Sequence, residues 1–447
     1  MKERMEEKKD KEPRFRAAEG RLLQQSVLKH IPRRKDGVME GAAIGFDAAI
    51  FQNGDITEVQ AVGAQPTSRF PESYPLTAGE AAWITAENQL AVKGVFAAGT
   101  EPADVRITAE SRSVTRGVSV AAQILLVAGM SCPESIIRRE MQRLTQFAAT
   151  RGCPIVGGNT VHFQEGEDCL VQVILTGHMP NPHGTKCTQE GGQNVPDCER
   201  NGQEGGQKES TGQEHDGAFR KPAAGDRVYF LGEVGCLGAD LLVKAKRDRL
   251  RDRFAESYIK TMEYDAEDFY VGPLARAAQE AGACFLHDVS NGGVHAALYQ
   301  LAEAAGCGIR VRHEGLTIRQ SVIELCEELS INPYLLLGTG GLLAAVPEER
   351  AEAFEMYMAK YRMDADYGTD PQQVDTDPMT KSYGDAERET DDLTGFARME
   401  SSARRFSCRP AGQLTKEKAR VVYAENFHME RYLNLPDGDA LDEALLT

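Results

Sequence analysis

His287-Asp-Val-Ser-Asn-Gly-Gly-Val-His-Ala-Ala-Leu-Tyr-Gln-Leu-Ala-Glu-Ala-Ala-Gly-Cys-Gly-Ile309 is the stretch on which the reading of this chain turns. The apolar Phe285-Leu286 before it reads as the end of a strand, and the Ala-rich run from His295 to Ala305 reads as a helix leading to a strand at Ile309-Arg-Val311. Between them stand a carboxylate and paired glycines. Glycines at a strand end let the backbone come close to a ligand, and amides ahead of a helix can hold phosphate oxygens. A carboxylate beside them can hold Mg2+, which bridges phosphates. His287, Asp288, Asn291, Gly292 and Gly293 are therefore candidate nucleotide-site residues, with Asp288 a candidate metal ligand. His287 suits an acid, a base or a phosphate contact, and equally a structural histidine at a strand end.

The same form recurs earlier. Ile155-Val-Gly-Gly-Asn-Thr160 runs from a short apolar strand into glycines, which makes Gly157, Gly158, Asn159 and Thr160 candidates of the same kind. Gly45-Phe-Asp47 is a third corner of glycine plus carboxylate, and Asp47 joins Asp288 as a candidate metal ligand. Each corner alone also reads as an ordinary turn, with its carboxylate as a turn or cap residue. Three of them in one chain point to a nucleotide and metal site.

Around these corners the chain divides by composition. Residues 1–40 are a charged extension with a short helix marked by Leu22, Leu23, Val27, Leu28 and Ile31. Residues 41–180 alternate strands with helices, among them an apolar helix over 81–98, a strand over 118–127 and an amphipathic helix over 133–150. Residues 181–222 are rich in Gly, Gln, Glu and Asn and cannot bury enough apolar surface to offset their ordering entropy, so they read as a flexible insertion. Strands and helices alternate again over 223–435, with an acidic insertion at 364–396. The alternation implies α/β layering, or α+β domains with helices on one sheet face.

Bulk properties narrow the class. A chain of 447 residues is too long for one compact core. A net charge of −17 repels nucleic-acid phosphates, so no nucleic-acid partner is expected. The N-terminus has no apolar stretch after its charges, and no run of about 18 apolar residues exists, so neither a secretory signal nor a membrane span is read. The ten cysteines are scattered with no Cys-x-x-Cys pair, which favours reduced thiols and a cytoplasmic protein. His183, Cys187, Cys198 and His215 have spacings that match no familiar zinc site.

The 287–309 stretch resembles the Asp-rich, Gly-Gly helix signature that opens the second-domain helix of the aminoimidazole-ribonucleotide-synthetase (PurM-like) superfamily. Ile323-Glu-Leu-Cys-Glu-Glu-Leu-Ser-Ile-Asn-Pro333, Gly340-Gly-Leu-Leu-Ala-Ala-Val346 and Gly225-Asp-Arg-Val-Tyr-Phe-Leu-Gly232 are similar to its hydrogenase-maturation branch in particular. Asp47-Ala-Ala-Ile50 and Gly157-Gly-Asn-Thr160 fall in the expected order. The resemblance implies an N-terminal α+β domain with a dimer-forming sheet and a C-terminal α/β domain. It further implies a homodimer with ATP in the cleft, and Mg2+ held on the phosphates by acidic residues. The chemistry it implies is activation of an acceptor by phosphoryl transfer, the acceptor unknown. A carboxylate expected near Lys93-Gly94 is missing, the Asp or His position of the second corner is Asn159, and the last cysteine is Cys408. Those departures leave an alternative in which a catalytically degraded homologue serves as a nucleotide-binding scaffold or regulatory partner protein.

Overall fold

The computed structural model describes residues 22–31, 37–54, 56–96, 117–163, 166–180, 220–367, 406–424, 429–436 and 438–446. Most of the insertion read at 181–222, most of the acidic insertion at 364–396, and the four Cys and His residues of the first insertion lie outside the described residues. So does most of the charged extension.

Among the described residues, two seven-stranded sheets carry the architecture. The first is built from β1 (Val38–Glu40), β2 (Ala48–Asn53), β3 (Ile56–Pro66), β4 (Val95–Phe96), β5 (Gly117–Gly129), β6 (Ile155–Phe163) and β7 (Cys169–Pro180). Its strand order is β1-β2-β3-β7-β5-β4, with β6 also paired to β5. The second comprises β8 (Arg227–Leu231), β9 (Phe285–Val289), β10 (Gly308–Arg312), β11 (Gly341–Val346), β12 (Gly412–Thr415), β13 (Arg420–Ala424) and β14 (Met429–Tyr432), in the order β14-β13-β10-β12-β8-β11-β9. Helices α1 (Ala78–Ala91) and α2 (Glu134–Thr150) belong to the first half. The second half carries α3 (Cys236–Arg251), α4 (Gly272–Glu280), α5 (Gly293–Ala305), α6 (Gln320–Glu328), α7 (Ala351–Tyr367) and, near the C-terminus, α8 (Ala440–Leu446). Mixed sheet and helix is the class that the alternation of elements implied.

The seam between the halves explains the composition of α1. All of its residues are buried, polar ones included. A helix that is apolar all round is one packed on every side. One side of α1 lies on β3, where the space of a Cβ at Gly63 is taken by the Ala82 carbonyl oxygen, 1.8 Å away. Another side meets the second half: Asn88 Nδ2 donates to the Phe269 carbonyl at 2.8 Å, and its Oδ1 accepts from the Val271 N–H at 2.9 Å. Tyr74 donates to Asp240 at 2.6 Å across the same seam. Thr77 and Glu80 cap the helix reciprocally, each side chain bonded to the other's backbone N–H.

Several expected boundaries shift. The helix read over 81–98 starts at Ala78 and stops at Ala91, because Gly94 turns the chain with φ +81° into the short strand β4. The corner at Gly157–Thr160 is not a turn; β6 runs straight through it to Phe163. Helix α7 continues to Tyr367, into the start of the acidic stretch. No helix among the described residues is long and apolar enough to cross a membrane.

Candidate functional site

Two of the three corners meet. The Gly45-Phe-Asp47 loop nests on α5: Gly45 has φ +85°, and a Cβ there would lie 2.2 Å from the Gln300 carbonyl oxygen. Only glycine combines that backbone with that approach. Gly45→Ala is expected to cost about 2 kcal/mol of stability through strain and to swing Asp47 away from its partner. Thermal unfolding and nucleotide calorimetry check this; unchanged values in both would show the nesting to be unimportant.

The partner is His287 on β9, the edge strand of the second sheet. Its Nδ1 lies 3.0 Å from Asp47 Oδ2, and its Nε2 lies 3.0 Å from Gln300 Oε1. With Asp288 these residues offer three ligand atoms within 4.8 Å of one another. His287 and Asp288 are both 2% exposed. Burial alone would lower the His287 pKa, but the Asp47 carboxylate, charged and hydrogen-bonded to the ring, raises it to about 9. Burial also acts to raise Asp47; the charge and hydrogen bond of His287, with Lys93 beyond, outweigh it and hold that carboxyl low. Asp288 goes the other way. Burial first, and the Asp47 charge second, push it up to about 7. Its Oδ1 is buried with no hydrogen-bond partner.

That orphaned oxygen needs a proton or a cation. Mg2+ takes oxygen ligands, uses one or two carboxylates, and leaves its other positions to phosphates and water. Asp47 and Asp288 fit that requirement. His287 does not join them, since both ring nitrogens are already engaged.

The other candidates fall in two places. Asn291, Gly292 and Gly293 follow β9 directly. Asn291 Oδ1 accepts from Arg69 Nη1 at 3.0 Å. Gly292 starts α5 with φ +76°. A Cβ on Gly293 would meet the Tyr334 carbonyl oxygen at 2.5 Å, so this glycine admits the passing 334–336 backbone. Gly157, Gly158, Asn159 and Thr160 lie on β6, exposed. Along the sheet, β6 is reached from β2 only through β3, β7 and β5.

Residue patterns missed four contributors. Lys93 follows the C-cap of α1 and is 4% exposed. Its Nζ lies 2.6 Å from Glu40, 4.7 Å from the Phe285 ring centre and 5.5 Å from that of Phe46. A lysine just past the end of an Ala-rich helix was the available signal. Gln300 hides within the Ala-rich helix, and Arg69 and Asp439 become site neighbours only through contacts far apart in sequence.

A family model described as AIR synthase related protein, C-terminal domain, matches residues 223–367. Carbamoyl dehydratase HypE of Rhodobacter capsulatus is 39% identical over 130 residues, which is 29% of this chain and 36% of that protein. Carbamoyl dehydratase HypE of Azotobacter vinelandii is 24% identical over 233 residues, 52% of this chain and 57% of that one. Both matches leave a large part of the relative uncovered. Among solved structures, the HypE–HypF complex matches with a TM-score of 0.54 at 15% identity, over 93% of this chain and 100% of that one. Escherichia coli HypE gives 0.52 at 16% identity over 95% and 97%. HypE in complex with ATP gives 0.50 at 15% identity over 94% and 96%. At such identities the structural likeness speaks for the fold, and the sequence matches speak for descent. Residues 223–367 carry the AIR synthase related C-terminal domain, and the chain as a whole is similar in sequence and fold to the HypE proteins of the aminoimidazole-ribonucleotide-synthetase (PurM-like) superfamily.

Proposed function

We propose that the chain binds ATP with Mg2+ at the Asp47–His287–Asp288 corner and uses it to activate an oxygen or acid group of an acceptor by phosphoryl transfer. The carrying observation is Asp288, buried with an oxygen that lacks a partner, beside a histidine held from both sides. A solved relative bound to ATP supports the nucleotide, and one bound to HypF supports a protein partner. Mg2+, when bound, neutralises phosphate charge. The chain's own groups do the rest. Asp47 and Asp288 hold the metal side, the protonated His287 and Lys93 place positive charge behind the carboxylates, and Asp47 with Gln300 fixes the imidazole. Such positioning and charge neutralisation carry most of the catalysis in phosphoryl transfer. The acceptor is a small carbonyl-bearing or oxyacid group if the chain follows the carbamoyl dehydratases, acting in the cytoplasm.

Calorimetry with ATP, with and without Mg2+, followed by measurement of ADP release, tests this. Metal-dependent binding with turnover is expected; no nucleotide binding under either condition would sink it. Lys93 favours a second reading: its ammonium beside the carboxylates already balances charge that a metal would otherwise neutralise, as suits a scaffold that holds nucleotide without turning it over. Binding without ADP release selects that reading.

A homodimer is part of the proposal. Strand β6 has one paired side and exposes Val156 at 61%, Val161 at 43% and Phe163 at 60%. Exposed apolar edge strands invite pairing with another chain. Sedimentation is expected to give a dimer, and Phe163→Asp a monomer; a monomeric unmodified protein would remove the dimer from the reading.

A further inference from the structure

At the seam between the sheets, hydrogen-bond donors converge and are filled by the chain's own C-terminal segment. The Gly292 N–H donates to Asp439 Oδ2 at 2.8 Å, and the Leu337 N–H donates to Asp439 Oδ1 at 3.0 Å. Beside them Arg69, 4% exposed, gives Nε and Nη2 to Asp442 at 2.8 and 2.7 Å. Arg69 Nη1 goes to Asn291 and to Gln65 Oε1, each at 3.0 Å. Gln65 is fully buried, and its Nε2 donor has no hydrogen-bond partner.

This is a donor set suited to an anion. Gly292 and Gly293 open a helix of 13 residues, whose dipole favours negative charge at this end. A guanidinium presenting two parallel N–H groups matches a phosphate as well as a carboxylate. Simple capping of α8 would need only the Leu441 N–H, which Asp439 Oδ1 also accepts at 2.9 Å. Its other oxygen instead reaches the amide that follows Asn291. The segment also borders open space. A cavity of about 1630 Å³ is lined by Gly438, Asp439 and Glu443 from the segment and by His295, Tyr334 and Arg431 opposite. The cavity gives the Asp439 side of the segment open space, while Leu441 and Ala444 on its other side pack in the core and are uncovered when it leaves.

We propose that Asp439 and Asp442 are built-in stand-ins for a phosphate-bearing ligand: segment 438–446 occupies the anion site of Gly292, Leu337 and Arg69, and a polyphosphate group enters by displacing it. The identity of the ligand rests on the nucleotide reading above; the donor set does not.

The test uses the full chain, a chain ending at Pro436, and full-length Asp439→Asn. Calorimetry measures Mg2+-ATP and, separately, inorganic tripolyphosphate; hydrogen exchange follows the amides of 438–446. The truncated chain and Asp439→Asn are expected to bind tripolyphosphate at least about tenfold more tightly than the unmodified chain, a difference well within what one charge-assisted contact supplies. Saturating tripolyphosphate is expected to speed exchange in 438–446. Should the truncated chain fail to fold, Asp439→Asn decides alone, because asparagine keeps the shape and removes the charge. Equal affinities with unchanged exchange would make the segment a structural clamp and overturn the proposal, while ATP binding in the same chains would leave the nucleotide reading standing. Tripolyphosphate that frees the segment where ATP does not bind would do the reverse.

Discussion

Asp288→Asn is expected to yield a protein that melts higher than the unmodified chain and no longer binds Mg2+-ATP. Asp288 sits on β9 at 2% exposure with one oxygen unpartnered. Burial and the neighbouring Asp47 raise its pKa to about 7. A carboxyl whose native pKa lies above its ordinary value holds its proton more tightly folded than unfolded. The native state then carries more protons between about pH 4 and 7, and stability falls as pH rises through that window. Above it the penalty is complete, and asparagine escapes it with the same shape. The gain at pH 8 is about 2 kcal/mol, discounted for relaxation around the site, or roughly 4–8 °C in Tm for a domain of this size. At pH 5 the two proteins should melt nearly alike. His287 adds to the same trend: its pKa, raised to about 9, gives a contribution that is full below about pH 6.5 and lost as pH rises through 9, and the variant keeps the larger share of it, which comes from Asp47. Nucleotide affinity moves oppositely. Loss of one of two metal carboxylates is expected to weaken Mg2+-ATP by at least about a hundredfold. Thermal unfolding at pH 5 and 8, with and without Mg2+-ATP, reads all of this. A variant that melts lower at pH 8, or that binds nucleotide unchanged, would show that Asp288 is a structural carboxylate.

The second half was legible because its signals are local. Strand, acid, glycine pair and helix lie within one continuous stretch from Phe285 to Ala305, and the structure reproduces that order as β9 and α5. The pairing of Asp47 with Asp288 shows in the sequence only as a likeness between two corners, since the 240 intervening positions carry no trace of the contact that Gly45 makes with Gln300. The same grouping placed Gly157–Thr160 with them, and within one chain the structure sets those four on the exposed strand β6, apart from that corner. Gly157 has open space where a Cβ would stand, whereas a Cβ on Gly158 would lie 1.9 Å from the Ile124 carbonyl oxygen. Gly158 is there for close passage of β6 along β5, a demand that looks identical in sequence to a ligand's demand. Lys93 and Arg69 escaped notice because a buried cation is defined by what surrounds it. Glu40, Phe46 and Phe285 make Lys93 a site residue, and nothing beside it in sequence does.

Arg69 also supports the second large effect. Arg69→Met should destabilise the protein by about 3–5 kcal/mol, the cost of stranding a buried charge. The side chain is 5% exposed and spends its donors on Asp442, Asn291 and Gln65, which come from three separate parts of the chain. Methionine replaces the packing of the stem and none of the bonds, so Asp442 at 7% exposure loses its counter-charge while Asp439, at 3%, remains close by. Arg69→Lys should rescue little, because one ammonium cannot supply the planar pair of N–H groups that Asp442 accepts. Asp442→Asn should cost less than Arg69→Met, since Arg69 keeps Gln65 and Asn291. Combining Arg69→Met with Asp442→Leu should recover much of the loss, because replacing both partners by apolar groups removes the stranded charge along with the pair. Urea unfolding of these variants, with Asp442→Leu alone to close the double-mutant cycle, measures the coupling. Susceptibility of segment 438–446 to protease should rise in Arg69→Met and fall back in the double variant if the leucine packs into the space left. A loss under about 1 kcal/mol for Arg69→Met would mean that Asp442 finds water when its partner is removed, and that the C-terminal segment is held by Leu441 and Ala444 in the core and not by charge.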